Sequence, residues 1–429
     1  MTIQNPVIVI PGITATELLD DYPLKTEDVW SMIFNKDYER IALHPDDLRY
    51  EAIEPAHVFP GRAFSIYNDL IKALRHELSS QADKPTPVFA FPYDWRIDVR
   101  LTAKALGEFV KEVIARTKLL KHYAKASNLK VDLVGHSMGG LIICEYLSQT
   151  KAQSQVGRVA TIGTPFLGSI EAIVKIATGM SLLSGTEPRE REREAARVTP
   201  AVYQLFPSYK NAALSKDGNQ VNLFNPANMQ GSILDSLAEF VRLYAVDTLS
   251  TDRRKQAEKI LKQLLNCGKE HRANIRNFNP VSAEIKKQNW LAIVGVGQET
   301  RIQLTVGRLQ GKPRFEINDD QFTNDLDSEN PTSRKTGDGT VPLLGAIPPF
   351  LEEDQIVCVT KGDLGLFEIR DKLLIELGGF HGLLPAVNLV QRLTIKHLRL
   401  KYSGKVWGRR LPGAVAWNPP ITRLYEKKY

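Results

Sequence analysis

Apolar residues along this chain recur in two rhythms. Short β-rich runs, Val7 to Ile10, Val88 to Phe91, Val131 to Val134, Arg158 to Ile162, Leu291 to Val296 and Gln355 to Thr360, have the length and composition of strands. Between the earlier runs, Tyr67 to Ser79, Leu101 to Leu120 and Leu141 to Thr150 carry apolar residues three and four positions apart, the spacing of a helix face. The alternation predicts an α/β fold, a mostly parallel sheet flanked by helices. Two stretches interrupt it. Residues 20–60 hold little periodic structure, and residues 170–285 pass more than a hundred positions before the next convincing strand. So long a gap predicts a largely helical cap or lid. Within it, Glu187 to Arg197 alternates acids and bases, as an exposed helix would, and Ile260, Leu261, Leu264 and Leu265 mark an amphipathic one. The expected organisation is a core in two parts, 1–169 (with the 20–60 excursion near the site) and 286–391, separated by the 170–285 cap and followed by a basic segment, 392–429.

Composition narrows the class. Of 429 residues 43% are hydrophobic and 24% charged, ordinary for a globular protein and unlike a disordered one. Cys144, Cys267 and Cys358 are too few and too scattered for a disulfide framework or a metal-ligand spacing. The first residues lack the basic start and apolar stretch of an export signal, and no apolar run approaches the ~20 residues that span a bilayer. A cytoplasmic protein with at most peripheral lipid contact is expected. The net charge of +7 is uneven: residues 392–429 hold ten Lys or Arg against one acid, a local +9, leaving the remainder at −2. With Tyr402, Trp407, Trp417 and Tyr425, this tail reads either as a contact for anionic headgroups or as a solvated terminus. No nucleic-acid motif accompanies the charge.

Candidate chemistry begins at Gly135-His-Ser137-Met-Gly139, between the run at 131–134 and the helix pattern after it. A nucleophile on a strained strand-to-helix turn needs flanking residues without side chains, so that strand and helix can approach. Ser137 would be held up toward substrate, with the Met138 amide at the helix N-terminus aimed at developing negative charge. His136, adjacent on so tight a turn, cannot present its ring to the same substrate and is assigned packing or local hydrogen bonding.

In the α/β-hydrolase fold the nucleophile is followed along the chain by an acid and then a histidine. His271 precedes every plausible acid, and His397 sits in a helical pattern from Leu389 to Leu400. His381, in the glycine-rich loop Gly378 to Leu384 after the last strand, remains as the base. The acid is expected within 297–354. Asp319, Asp320, Asp325 and Asp327 form a polar run, either a solvated loop or a weak calcium candidate without an EF-hand pattern. Asp338, enclosed in Thr336-Gly-Asp-Gly-Thr-Val-Pro342, reads from the residues alone as either the acid or an ordinary Asp-Gly turn.

Several segments together resemble the lecithin:cholesterol acyltransferase family, which includes lysosomal phospholipase A and phospholipid:diacylglycerol acyltransferases. They are Val7-Ile-Val-Ile-Pro-Gly-Ile13, Phe91-Pro-Tyr-Asp-Trp-Arg96, the Ser137 elbow, Gly163-Thr-Pro-Phe-Leu-Gly-Ser169, Tyr203-Gln-Leu-Phe-Pro207 and Gly337-Asp-Gly-Thr-Val-Pro342. The resemblance implies that Asp338 is the acid and that the amides of Ile13 and Met138 form an oxyanion hole. Tyr93, Asp94, Trp95 and Arg96 would support the site, Trp95 by packing beneath it. It is weak between 180 and 290. The activity implied is serine-dependent lipid acyl hydrolysis through an acyl-enzyme, needing no metal or organic cofactor. Transfer of the acyl group to an alcohol is the alternative, and an inactive hydrolase-fold binding protein a more distant one. A lipid-cleaving enzyme among its own membranes also implies control by the lid or by a regulatory partner.

Overall fold

Val7 and Val9 face one side of the sheet and Ile8 and Ile10 the other, and all four are buried. A strand covered on both faces must be apolar throughout, which is why these segments read as unbroken runs. The computed structural model describes residues 3–22, 25–31, 36–53, 56–180, 190–246, 252–318, 321–325, 334–363, 379–399 and 409–412. Its central sheet comprises β1 (Val7–Ile10), β2 (Val88–Ala90), β3 (Val131–His136), β4 (Val156–Ile162), β5 (Trp290–Gly295) and β6 (Ile356–Val359). The spatial order is β6-β5-β4-β3-β1-β2, and every neighbouring pair is parallel.

The longer helices are α1 (Asn68–Leu78), α2 (Val99–Lys118), α3 (Met138–Thr150), α4 (Glu171–Thr178), α5 (Glu190–Arg197), α6 (Gly231–Tyr244), α7 (Arg253–Asn277) and α8 (Asn388–Leu398). On one face of the sheet α1 and α8 bring Leu70, Leu74, Leu389 and Val390 against Val7 and Val9. On the other, α2 and α3 bring Leu106, Val110, Leu141 and Ile142 against Ile8 and Ile10. Each fully buried leucine of this kind contributes about 2 kcal/mol. Asp98 starts α2 by accepting the Arg100 amide at 2.8 Å, so the helix begins at Val99, two residues before its apolar repeat. α3 begins at Met138, three residues early, because its first turn is glycine packed on the sheet and carries no periodic signal. This sheet and its two helical layers are an α/β-hydrolase fold.

Three stretches carry structure that their sequence pattern does not display. The described part of residues 20–60 contains short strands: Thr16–Asp20 pairs antiparallel with Glu27–Trp30 and with Val58–Ala63, and Leu43–His44 with Asp47–Glu51. Bulges interrupt all three pairings, which erases the two-residue period a sequence pattern would reveal. The 170–285 excursion has its own apolar cluster, and the Ile260, Leu261, Leu264 and Leu265 face of α7 is buried in it. It is largely helical, with one short strand, Ala213–Ser215, that pairs in parallel with Leu304–Leu309, itself antiparallel to Lys312–Glu316. Residues 304–316, beyond β5, thus join the excursion rather than the main sheet. Finally, α5 is exposed on one face only. Glu192, Ala195, Ala196 and Arg197 are buried; Glu192 pairs with Lys175 of α4, and Arg197 donates to the Ile176 and Ser232 carbonyls. Glu192 and Arg197 are matched to neighbouring helices, while Glu190, Arg191 and Glu194 remain exposed.

Residues 187–189, 400–408 and 413–429 lie outside the described residues, and with them most of the basic tail. No described helix is long and apolar enough to cross a membrane. All three cysteines are free and buried.

One buried charge of the sheet has a measurable consequence. Asp132 of β3 accepts from Asn5 at 2.8 Å and from the Arg158 amide at 2.9 Å, yet burial pushes its carboxyl up from the ordinary 3.8 to about 7. The folded protein therefore holds this proton more tightly than the unfolded chain does. Stability from this group is lost as pH rises through that interval, by up to about 1.4 kcal/mol per pH unit. Asp132→Asn, which keeps the acceptor oxygen, should gain in melting temperature relative to the parent between pH 4 and pH 8. A difference in melting temperature that stays constant across that range would contradict the assignment.

Candidate functional site

The strand order reverses between β1 and β3, where connections leave in opposite directions and open a crevice at the strands' carboxyl ends. Ile10 pairs with Gly135, so the loop after β1 and the turn after β3 emerge side by side. A Cβ on Gly12 would lie 3.0 Å from the Ser137 Cβ, and one on Gly135 would lie 2.7 Å from the Gly140 nitrogen. Ser137 itself has φ 51° and ψ −125°, a conformation that non-glycine residues rarely adopt. Such strain persists where packing dictates it, and here it lifts the hydroxyl out of the crevice floor.

Three side chains far apart in sequence meet at that hydroxyl. His381, on a short helix Phe380–Leu383 after Gly379, places Nε2 3.0 Å from Ser137 Oγ. Its Nδ1 lies 2.7 Å from Asp338 Oδ2. A carboxylate only accepts, so Nδ1 carries the proton and Nε2 is left to accept from the serine. The other Asp338 oxygen accepts from the amides of Thr340 at 3.0 Å and Val341 at 2.7 Å. Its loop is held in turn by Thr300 Oγ1, which accepts from the Gly339 amide, and by Ser169 Oγ, which donates to the Thr340 carbonyl. Asp338 is 1% exposed, so its orientation is dictated by these bonds and not by water.

The loop after β1 is tied down by aromatic side chains. Tyr93 Oη donates to the Pro11 carbonyl at 2.9 Å, Trp30 Nε1 to Thr14 at 3.2 Å and Trp95 Nε1 to Thr16 at 3.2 Å. Trp95 therefore does more than fill space, although its edge does pack on Trp30 with ring centroids 5.0 Å apart. The Met138 amide lies in the first turn of α3, where N–H groups have no intrahelical acceptor. Arg96 is buried beneath. It forms a two-pronged contact with Asp94 (3.0 and 2.7 Å), meets Glu51 at 2.7 Å and donates to the Ile41 carbonyl. Burial opposes the charged guanidinium, but the two carboxylates outweigh it and its pKa is raised.

A cavity of about 760 Å³ opens beside these groups. Ile13, Trp30, Ile41, Val202 and Leu205 give it an apolar wall, while Gln298, Asn324 and Lys361 line a polar part. Val202 and Leu205 come from the 170–285 excursion, which thereby contributes to the apolar wall. The volume suits a ligand of drug or lipid-chain size.

The structure thus brings Ser137, His381 and Asp338 into one bonded path, with Gly135, Gly139, Tyr93, Asp94, Trp95 and Arg96 around it. His271 and His397 lie elsewhere: His271 bonds Glu145 at 2.5 Å and His397 the Asn289 carbonyl at 3.1 Å. Asp325 is described and takes no place in the path; Asp319, Asp320 and Asp327 lie outside the described residues. Sequence reasoning missed Trp30, Glu51, Tyr67 and Thr300. Nothing in their local pattern sets them apart, because each acts by a contact across 16 to 55 residues of chain.

The model of the lecithin:cholesterol acyltransferase family matches residues 50–345. Phospholipase A(1) LCAT3 of Arabidopsis thaliana is 31% identical over 154 residues, covering 34% of this chain and 32% of that protein. Lecithin-cholesterol acyltransferase-like 4 of the same organism is 24% identical over 218 residues, covering 43% and 38%. The chain therefore spans between 32% and 38% of the length of these curated relatives. Among solved structures, a chain of the Tle4–Tli4 complex superposes with a TM-score of 0.52 at 14% identity, over 81% of this chain and 90% of that one. At that identity the likeness speaks to the fold alone.

Removing the cation beneath the site leaves the buried Glu51 and the partly buried Asp94 carboxylates without their shared partner. Arg96→Met should cost about 3–5 kcal/mol of unfolding free energy, read by chemical denaturation. Parental stability in that variant would refute a supporting role for the Asp94–Arg96–Glu51 cluster.

Proposed function

The chain belongs to the lecithin:cholesterol acyltransferase family, and we propose on that footing that it is a serine-dependent lipid acyl hydrolase. The observation that carries this reading is the unbroken path Asp338–His381–Ser137, 2.7 and 3.0 Å long in its two steps, at the edge of a largely apolar cavity. Ser137 Oγ attacks the ester carbonyl as His381 Nε2 takes its proton. Asp338 holds the imidazole in the required tautomer and stabilises its cation. The amides of Ile13 and Met138 stabilise the oxyanion of the tetrahedral intermediate. Collapse of that intermediate, with His381 returning the proton to the leaving alcohol, gives an acyl-enzyme that water hydrolyses.

One matched relative is named a phospholipase A(1), which supports a phospholipid as acyl donor. The family's name supports a second reading, in which an alcohol replaces water as acceptor. A cytoplasmic setting, peripheral contact through the 170–285 cap and the basic residues 392–429, and restraint by the cap or a protein partner complete the proposal.

Purified Ser137→Ala protein should lose about 10⁴-fold or more in acyl turnover, and undiminished turnover would refute the nucleophile. Offered phospholipid labelled in its acyl chain, the parent protein should release labelled fatty acid without added alcohol. Label that moves only into a new ester, and only when alcohol is supplied, would establish the second reading instead.

A further inference from the structure

The Pro11–Gly12 peptide is gripped at both ends by tyrosine hydroxyls. Tyr93 Oη donates to its carbonyl at 2.9 Å, and its N–H donates to Tyr67 Oη at 2.9 Å. Tyr67 ends the short turn Ser65–Tyr67 and is 1% exposed. Its oxygen also lies 2.7 Å from His136 Nδ1, and His136 Nε2 lies 3.0 Å from the backbone carbonyl of His381.

Every proton on this path is determined by its two ends. The Gly12 N–H can only donate and the His381 carbonyl can only accept. His136 Nε2 must therefore carry a proton. Burial, with the nearby His381 ring adding to it, pulls the His136 pKa down from 6.5 to about 3, so the ring is neutral and Nδ1 bears none. Nδ1 accepts from the Tyr67 hydroxyl, whose oxygen accepts from Gly12. No member of the path competes with another, and none titrates near neutral pH.

The two ends have something in common. One is the peptide that precedes the Ile13 amide; the other is the backbone of the base. We propose that Tyr67 is a positioning residue that, through His136, keeps the Ile13 N–H and the His381 imidazole in register with Ser137. The inference rests on the serine hydrolase reading above. The donor that stabilises the oxyanion and the base that takes the Ser137 proton are thereby referred to a common buried hydroxyl, and small misplacements of such groups are costly in rate.

The probe is a soluble p-nitrophenyl acyl ester. Tyr67→Phe keeps the ring and removes the hydroxyl; it should lower kcat about 10- to 100-fold with KM changed less than about threefold, since oxyanion stabilisation acts on the transition state alone. Affinity for a trifluoromethyl ketone that forms a tetrahedral adduct should fall in parallel, while affinity for the corresponding unreactive amide holds. His136→Gln can still accept from Tyr67 and donate to His381, so it should retain several-fold more kcat than His136→Leu. Parental kcat in Tyr67→Phe, or a loss residing in KM, overturns the proposal. Should Tyr67→Phe fail to fold, the His136 pair decides, and equal loss in both overturns it. A parent protein that neither turns over the ester nor reacts with a fluorophosphonate counts against the hydrolase reading itself and removes this inference with it.

Discussion

The parallel pairing of β1 with β3 is the constraint on which the rest of this molecule depends. Because Ile10 lies opposite Gly135, two chain segments more than a hundred residues apart leave the sheet side by side at the point where its winding reverses. Neither segment has room for side chains where they touch: a Cβ on Gly139 would collide with the Ile10 carbonyl, and one on Gly12 would crowd Ser137. The strained Ser137 backbone follows from this closeness. So does the closeness of Gly12, which precedes Ile13, to Ser137, which precedes Met138.

A loop at such a point cannot be covered by regular structure, yet its peptide groups are largely removed from water and must be bonded. Residues 11–16 meet that demand with aromatic side chains. Tyr93, Tyr67, Trp30 and Trp95 each engage one backbone group, at Pro11, Gly12, Thr14 and Thr16 respectively. Tyrosine and tryptophan suit this role because they bring bulk to fill the core and a single polar handle to satisfy a neighbour. The acid loop is solved differently, by hydroxyl groups of Thr300 and Ser169 and by the Asp338 carboxylate bonding its own turn. In both cases the groups aimed at Ser137 stand on backbone that is held from behind.

The excursion between β4 and β5 supplies the far side of the cavity and is joined to the core by charge as well as by packing. Glu171 of α4 meets Arg301 at 2.9 Å, while Lys175 one turn on meets Glu192 of α5 within the excursion itself. Burial raises the Glu171 carboxyl and Arg301 opposes the rise. Arg272 of α7 donates to the carbonyls of Pro165 and Phe166, in the segment that follows β4. Buried charges of this kind add little net stability but penalise alternative placements, because any partner lost leaves a charge without solvent.

Local sequence was enough for the sheet and the elbow. Strands covered on both faces must be apolar runs, helices between them must show a three-to-four spacing, and Gly135-x-Ser137-x-Gly139 carries its own steric rationale. Chain order then isolated His381, and the motif around Asp338 separated it from the other acids only through resemblance to a family. What sequence could not supply was anything whose cause lies across the fold. The bulged strands of 20–60 lack a period, the buried charges of α5 look solvated until their partners are placed, and the small sheet joins residues 213–215 to 304–316 across the whole of β5. The same holds for Tyr67, Trp30 and Glu51. A residue that acts through one hydrogen bond to a distant peptide leaves no mark on its neighbours in sequence, so only the tertiary structure decides its role.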